Sequence, residues 1–162
     1  MRKSMILAAV VVSIAASGCK KAGPAGAPVT DAEAAQIVNA TYADYTSGDA
    51  GRIASHYAKG AVAFDPGHVD SSNDPTVLKG WADEFVSMQP GDLSSDARTV
   101  QLLGPDAFVS SEVAHFTVAA GAARPKVGVR ITQVYQRQND GSWKIVHEHM
   151  SMPPTPAGAT AQ

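Results

Sequence analysis

Residues 130–151 read RITQVYQRQNDGSWKIVHEHMS. Two stretches of alternating apolar and polar residues flank Asn139-Asp140-Gly141, which predicts two antiparallel strands, over 126–137 and 142–151, joined by a short turn. On the last strand, alternation places Trp143, Ile145, His147, His149 and Ser151 on one face and Lys144, Val146, Glu148 and Met150 on the other. A single inserted residue would exchange those faces on one side of the insertion. The direction of each side chain therefore decides whether His147-Glu148-His149 is chemistry or sheet surface.

Upstream the period-two pattern continues, with strands expected over 92–103 and 107–119, separated by Gly104-Pro105-Asp106, and a Gly121 to Pro125 turn leading into the 126–137 strand. Before Pro90-Gly91 the period is helical. Thr30-Asp31-Ala32-Glu33 has the spacing of a capping box, and Ala34, Ile37, Val38, Thr41 and Tyr45 follow on one face until Ser47-Gly48. Asp49 caps a second short helix with Ile53 and Tyr57 one turn apart, and AVAFD (61–65) reads as a first strand. Asp74-Pro75 opens a third helix, in which Val77, Leu78, Trp81, Phe85 and Met88 form a broad apolar face. Gly80 inside it costs about 1 kcal/mol relative to alanine, so a close neighbour or a local bend is expected there. Helices followed by a run of long strands define an α+β domain.

The chain opens MRKSMILAAVVVSIAASGC, with two basic residues, an apolar run from Met5 to Ala16, and small residues ahead of Cys19. That run is shorter than the roughly 20 residues a spanning helix needs, so it reads as an export signal. Ala16-Ser17-Gly18-Cys19 resembles the bacterial lipoprotein box. The resemblance implies cleavage after residue 18, acyl chains on Cys19, and membrane anchoring through those chains. Lys20, in place of the aspartate associated with inner-membrane retention, favours the outer membrane facing the periplasm. Residues 19–29 form a short flexible tether, 30–152 the folded domain, and 153–162, rich in Pro and Ala, a disordered tail. Removing 18 residues from 162 leaves a chain long enough for one core without staples, and its single cysteine excludes an intramolecular disulfide. Lys and Arg total 13 against 15 Asp and Glu, with no basic cluster, so nucleic acid is not an expected partner.

A helical pair, a strand, a third helix and a curved four-stranded meander ending in Trp-Lys-Ile-Val-His resemble the nuclear transport factor 2-like, or SnoaL-like, fold. More narrowly, AFDP (63–66), LKG (78–80) and the 130–151 hairpin resemble the association (hub) domain of calcium/calmodulin-dependent kinase II and its bacterial relatives. The resemblance implies a cone in which three N-terminal helices pack on a strongly curved antiparallel sheet. It also implies a pocket contributed by Tyr45, Trp81, Glu84, Phe85, Gln133, Glu148 and Met150. Glu84 stands where the hub domain has a pocket histidine, and Gln133 and Met150 stand where it has arginines. The guanidinium forks that would take a carboxylate bidentately are thus absent. With Met150 in a pocket position, Glu148 and Met150 face the cone and both histidines face the outer or subunit-packing side. The fold's common dimers imply a homodimer through the outer sheet face, with Trp143 and Tyr135 as aromatic contributors.

No nucleophile motif, phosphate loop or cofactor fingerprint is present, and no cofactor is expected. His147 and His149 could share an ion, with His115, His68 or Asp65 to complete a site, but nothing in the spacing requires it and no metal is expected. The favoured reading is a non-catalytic lipid-anchored protein that holds a small, largely apolar ligand in the cone or self-associates. The alternative is a small cofactor-independent enzyme of the isomerase, cyclase or hydratase type, with Asp65, Glu84 or His115 as acid/base. An oligomeric assembly scaffold is the third reading.

Overall fold

The computed structural model describes residues 26–153. The signal, Cys19, most of the tether and nearly all of the tail lie outside the described residues. Helix α1 (Asp31–Tyr45) starts where Thr30 Oγ1 accepts the Glu33 amide at 3.2 Å, half of the expected capping box. Helix α2 (Ala50–Ser55) starts on Asp49, whose carboxylate accepts two amide protons, from Gly51 and Arg52. Helix α3 (Pro75–Ser87) combines an Asp74 cap with proline at the first turn, where a missing N–H costs nothing. It runs without interruption through Gly80, and nothing lies within 4 Å of where a Cβ on Gly80 would stand. The expectation of a close neighbour at this glycine is therefore not met.

Five strands form one curved, open sheet in the order β1-β5-β4-β3-β2, with β1 Tyr57–Phe64, β2 Gly91–Gly104, β3 Ala107–Thr117, β4 Lys126–Arg137 and β5 Trp143–Ser151. The β2 to β5 meander is antiparallel, as expected. β1 differs, since it docks parallel to β5 after a connection through α3 and the whole meander. It also begins four residues earlier than its alternation indicates, taking Tyr57 from the expected second helix. Tertiary pairing overrides the local pattern there, because Tyr57 pairs with Ile145 and the Ile145 amide donates to the His56 carbonyl at 2.8 Å. The Gln138–Ser142 turn closes with Gly141 at φ 85°, a left-handed conformation suited to glycine.

The helices cover one face of the sheet. The core between them includes Val38, Tyr45 and Ile53 from the helices and Phe108, Val129, Ile131, Tyr135 and Ile145 from the strands. On β3, the inward positions Phe108, Ser110, Glu112, Ala114 and Phe116 alternate with outward ones. Glu112 is thus buried, and it meets the Arg98 guanidinium at 3.0 Å while Ser110 Oγ donates to its other oxygen at 2.8 Å. The contact is an ionic approach without hydrogen-bond alignment at Arg98 Nε.

A β-bulge divides β5. Val134 pairs with His147 but the next residue, Tyr135, pairs with Ile145, so Val146 is extra. One side of the bulge keeps Glu148 and Met150 inward and His147 and His149 outward, while the other turns Ile145 inward against the core. The strict alternation that grouped Ile145 with the histidines fails for that reason. Trp143 and Tyr135 likewise pack inward on Phe108, with ring centroids 5.4 and 4.7 Å away. They are core residues rather than the outer-face aromatics a sheet-mediated dimer was expected to use.

Candidate functional site

Glu148 is 4% exposed, yet it forms part of the wall of a cavity of about 390 Å³. The sheet places it there, and three groups from three elements hold it. Tyr57, at the start of β1, donates its hydroxyl to Oε1 at 2.7 Å, and Tyr45, at the end of α1, donates to Oε2 at 3.1 Å. Gln133, cross-strand partner of Glu148 on β4, donates Nε2 to Oε2 at 2.5 Å and also to the Tyr45 hydroxyl at 2.8 Å. The amide orientation of Gln133 is set from behind, where Tyr135 donates its hydroxyl to Oε1 at 2.7 Å. A buried carboxyl with three donors around it is a satisfied polar group in an otherwise apolar space.

Two opposing effects set its protonation. Burial raises the Glu148 pKa, and this outweighs the hydrogen bonds from Gln133, Tyr57 and Tyr45, which favour the anion; the Asp65 charge adds to the rise. Burial and the adjacent carboxylate also push the Tyr45 and Tyr57 phenols well above their ordinary value, so both stay protonated and available as donors.

The cavity wall is aromatic and aliphatic. Trp81 and Phe85 come from α3, where three- and four-residue spacing places them with Leu78 and Ala82 against the sheet, and Phe116 and Val129 come from β3 and β4. Phe85 meets the rings of Tyr45 and Phe116 edge-on at 6.1 and 5.3 Å. At the mouth, the segment after β1 turns on Asp65, whose Oδ1 accepts the Gly67 amide at 2.8 Å. This turn lays the His68 ring on Trp81, with centroids 4.5 Å apart, and points His68 Nε2 at Glu84, 3.1 Å away.

The structure brings Tyr45, Trp81, Glu84, Phe85, Glu148 and Met150 to this cavity. Gln133 stands behind Glu148 rather than on the wall, and Glu84 sits at the rim with its side chain 67% exposed. Of the alternative acid/base candidates, Asp65 reaches the mouth, but His115 is on the opposite face of the sheet. There it meets Ser94 Oγ at 2.8 Å and the Asp96 carboxylate at 2.9 Å. His147 and His149 flank Phe64 on that outer face, with centroids 5.9 and 5.5 Å from its ring. Among the described residues, no group of three or more His, Cys, Asp or Glu is placed to hold a metal ion. A second depression of about 560 Å³, between α1 and the bulged edge strand β2, is lined by Asn39, Ser94, Asp96 and Arg98 and opens broadly to solvent. The cone is the stronger candidate because a buried carboxyl, Glu148, lies directly on its wall. Sequence reasoning missed Tyr57, whose helical spacing pointed to the wrong element. It also missed Glu112, which the alternation of β3 could have revealed.

No curated protein sequence matches the chain significantly. Among solved structures, it is similar to a candidate calcium/calmodulin-dependent protein kinase II association domain from Xanthomonas campestris, with a TM-score of 0.71 and 25% identity over 87% of this chain and 99% of that one. It is also similar to the kinase II hub homology domain of Chlamydomonas reinhardtii, with a TM-score of 0.63 and 18% identity over 76% and 98% of the two chains. A candidate ketosteroid isomerase from Shewanella frigidimarina superposes with a TM-score of 0.61 and 18% identity over 78% and 100%. The SnoaL-like domain profile matches residues 34–155, and the chain belongs to that family, within the nuclear transport factor 2-like fold.

Proposed function

We propose that the cone binds a small, largely apolar molecule whose single polar end sits against Glu148. The observation that carries this reading is a buried carboxyl on the wall of an accessible aromatic cavity. A cavity of about 390 Å³ falls within the range of small-molecule sites. A core under selection for stability alone would fill such a space, because each unfilled methyl-sized void costs on the order of 1 kcal/mol. In this reading the protein works at the cell envelope, tethered through Cys19. The likeness to hub domains supports self-association alongside ligand binding. Native mass spectrometry of the protein purified from cells tests both parts, with a retained small molecule and a defined oligomer as the expected result. A ligand-free species that also fails to shift the Trp81 fluorescence of the cavity with any apolar probe removes the binding reading.

A second reading is favoured by one feature of the site. Glu148, with its pKa raised and two protonated phenols at hydrogen-bond distance, has the composition of a general acid/base with adjacent donors. In an enzyme of this kind Glu148 moves the proton, and Asp65 at the mouth is a secondary candidate. Screening cyclic ketones for solvent deuterium exchange at the α-carbon tests it, with loss of exchange in Glu148→Gln as the expected signature.

A further inference from the structure

The charge and donor balance of the cavity restrict what it can hold. Among the described residues three carboxyl groups line it, Asp65, Glu84 and Glu148, together with the His68 imidazole, and no Lys or Arg does. At the deep end every protein hydrogen-bond donor already has a partner. The Tyr57 hydroxyl proton goes to Glu148 Oε1, the Tyr45 hydroxyl proton goes to Oε2, and the Gln133 amide serves Oε2 and the Tyr45 oxygen. A carboxylate offers about four lone-pair positions, and the three bonds leave one on Oε1. The phenol oxygen of Tyr57 lies beside it and is itself approached by the Tyr45 hydroxyl at 3.4 Å. With Glu148 ionised, the deep end therefore accepts and does not donate, and the walls around it are aromatic faces, which attract cations.

We infer that the cavity selects an apolar amine: a protonated nitrogen donates to Glu148 Oε1 while its hydrocarbon body lies along Trp81, Phe85 and Phe116. This rests on the ligand-binding reading above and narrows it to one chemical class. An ammonium also resolves the cost of the buried charge, because it supplies the opposite charge that the free site lacks. Asp65 and Glu84 at the mouth attract the same cation on entry. A carboxylate ligand would face three like charges with no Lys or Arg among the described wall residues to offset them, and the one imidazole there, His68, is turned onto Glu84.

The test uses the full chain and three probes of one shape: 4-phenylbutylamine, 4-phenylbutanol and 4-phenylbutyrate, titrated by calorimetry and by tryptophan fluorescence. The amine should bind about ten- to a hundredfold more tightly than the alcohol, the difference expected of a charge-assisted hydrogen bond, and the butyrate should bind most weakly. Affinity for the amine should rise with pH as Glu148, faced by Tyr45, Tyr57, Gln133 and Asp65, gives up its proton while the amine keeps its own. Glu148→Gln should bring the amine to within about threefold of the alcohol. Should that variant not fold, Asp65→Asn provides a second arm, with a smaller loss confined to the amine. If the alcohol matches the amine in the unaltered chain, or amine affinity falls as pH rises, the amine assignment is overturned and the cavity reading stands. A persisting amine preference in Glu148→Gln, or an Asp65→Asn effect shared by all three probes, also overturns it. If none of the probes binds, the cavity reading fails with it.

Discussion

Glu148 links the protonation of one residue to the stability of the whole. Its pKa lies above the ordinary value of 4.5 because burial penalises the anion. The folded state therefore holds this proton more tightly than the unfolded chain does. The resulting stability is fully present below the unfolded pKa and is lost as pH rises through the folded one. The difference between wild type and Glu148→Gln should accordingly shift against wild type as pH increases from about 4.5 upward, read as melting temperatures across that window. Arg98 presents the opposite case. It faces Glu112, whose side chain is 1% exposed, so Arg98→Ala strands a buried carboxylate. The expected cost is about 3–5 kcal/mol by urea denaturation, and Glu112→Gln in the same chain should recover much of it. How far these residues were legible in the sequence differs. Glu148 was placed in the cone by family resemblance, since alternation alone could not say which face of β5 was the inner one. Tyr57 was hidden because one turn of helical spacing to Ile53 is as good a local pattern as the strand it joins. Its hydroxyl finds Glu148 only through a contact 91 residues away in sequence.

At the scale of elements, local signals did best where punctuation was strong. The Asp74-Pro75 start of α3 and the Asn139-Asp140-Gly141 turn fall where their chemistry places them. The β5 bulge and the parallel docking of β1 were not legible, because both arise from fitting one strand between two others rather than from any property of the strand itself. Gly80 is informative in another way. It lies in the interior of α3, does not adopt a positive φ, and has free space where a side chain would go. Gly80→Ala should therefore stabilise the domain by about 1 kcal/mol, seen as a higher urea midpoint with an unchanged slope. A loss of stability would mean that the backbone at this position needs to move. Since α3 carries Trp81 and Phe85, the same variant gives a measure of whether the cavity wall has to flex for a ligand to enter.

For the whole molecule, the anchor and the cone should be separable. Under the lipoprotein proposal, in which the Cys19 thiol carries an acyl chain, Cys19→Ser should move the protein from the membrane fraction to the soluble one and abolish incorporation of labelled palmitate. The domain built from α1 onward should keep its fold, since among the described residues its caps, core and cavity use none before Val29. Retention in the membrane fraction with continued labelling would remove the lipoprotein reading and leave the cone untouched.

The sheet order also has a consequence for timing. β5 is the last strand in the chain, yet it sits between β1 and β4. Until its nine residues are available, β1 has no ladder partner, the cone has no floor and Tyr45 and Tyr57 have no carboxylate to hold. A nascent chain emerging from the ribosome therefore cannot complete its core piecemeal; the final strand acts as a keystone, and most of the cooperativity waits for it. Under the proposal that the chain is exported and anchored through Cys19, such a delay keeps the precursor loose enough to be threaded across a membrane before it folds.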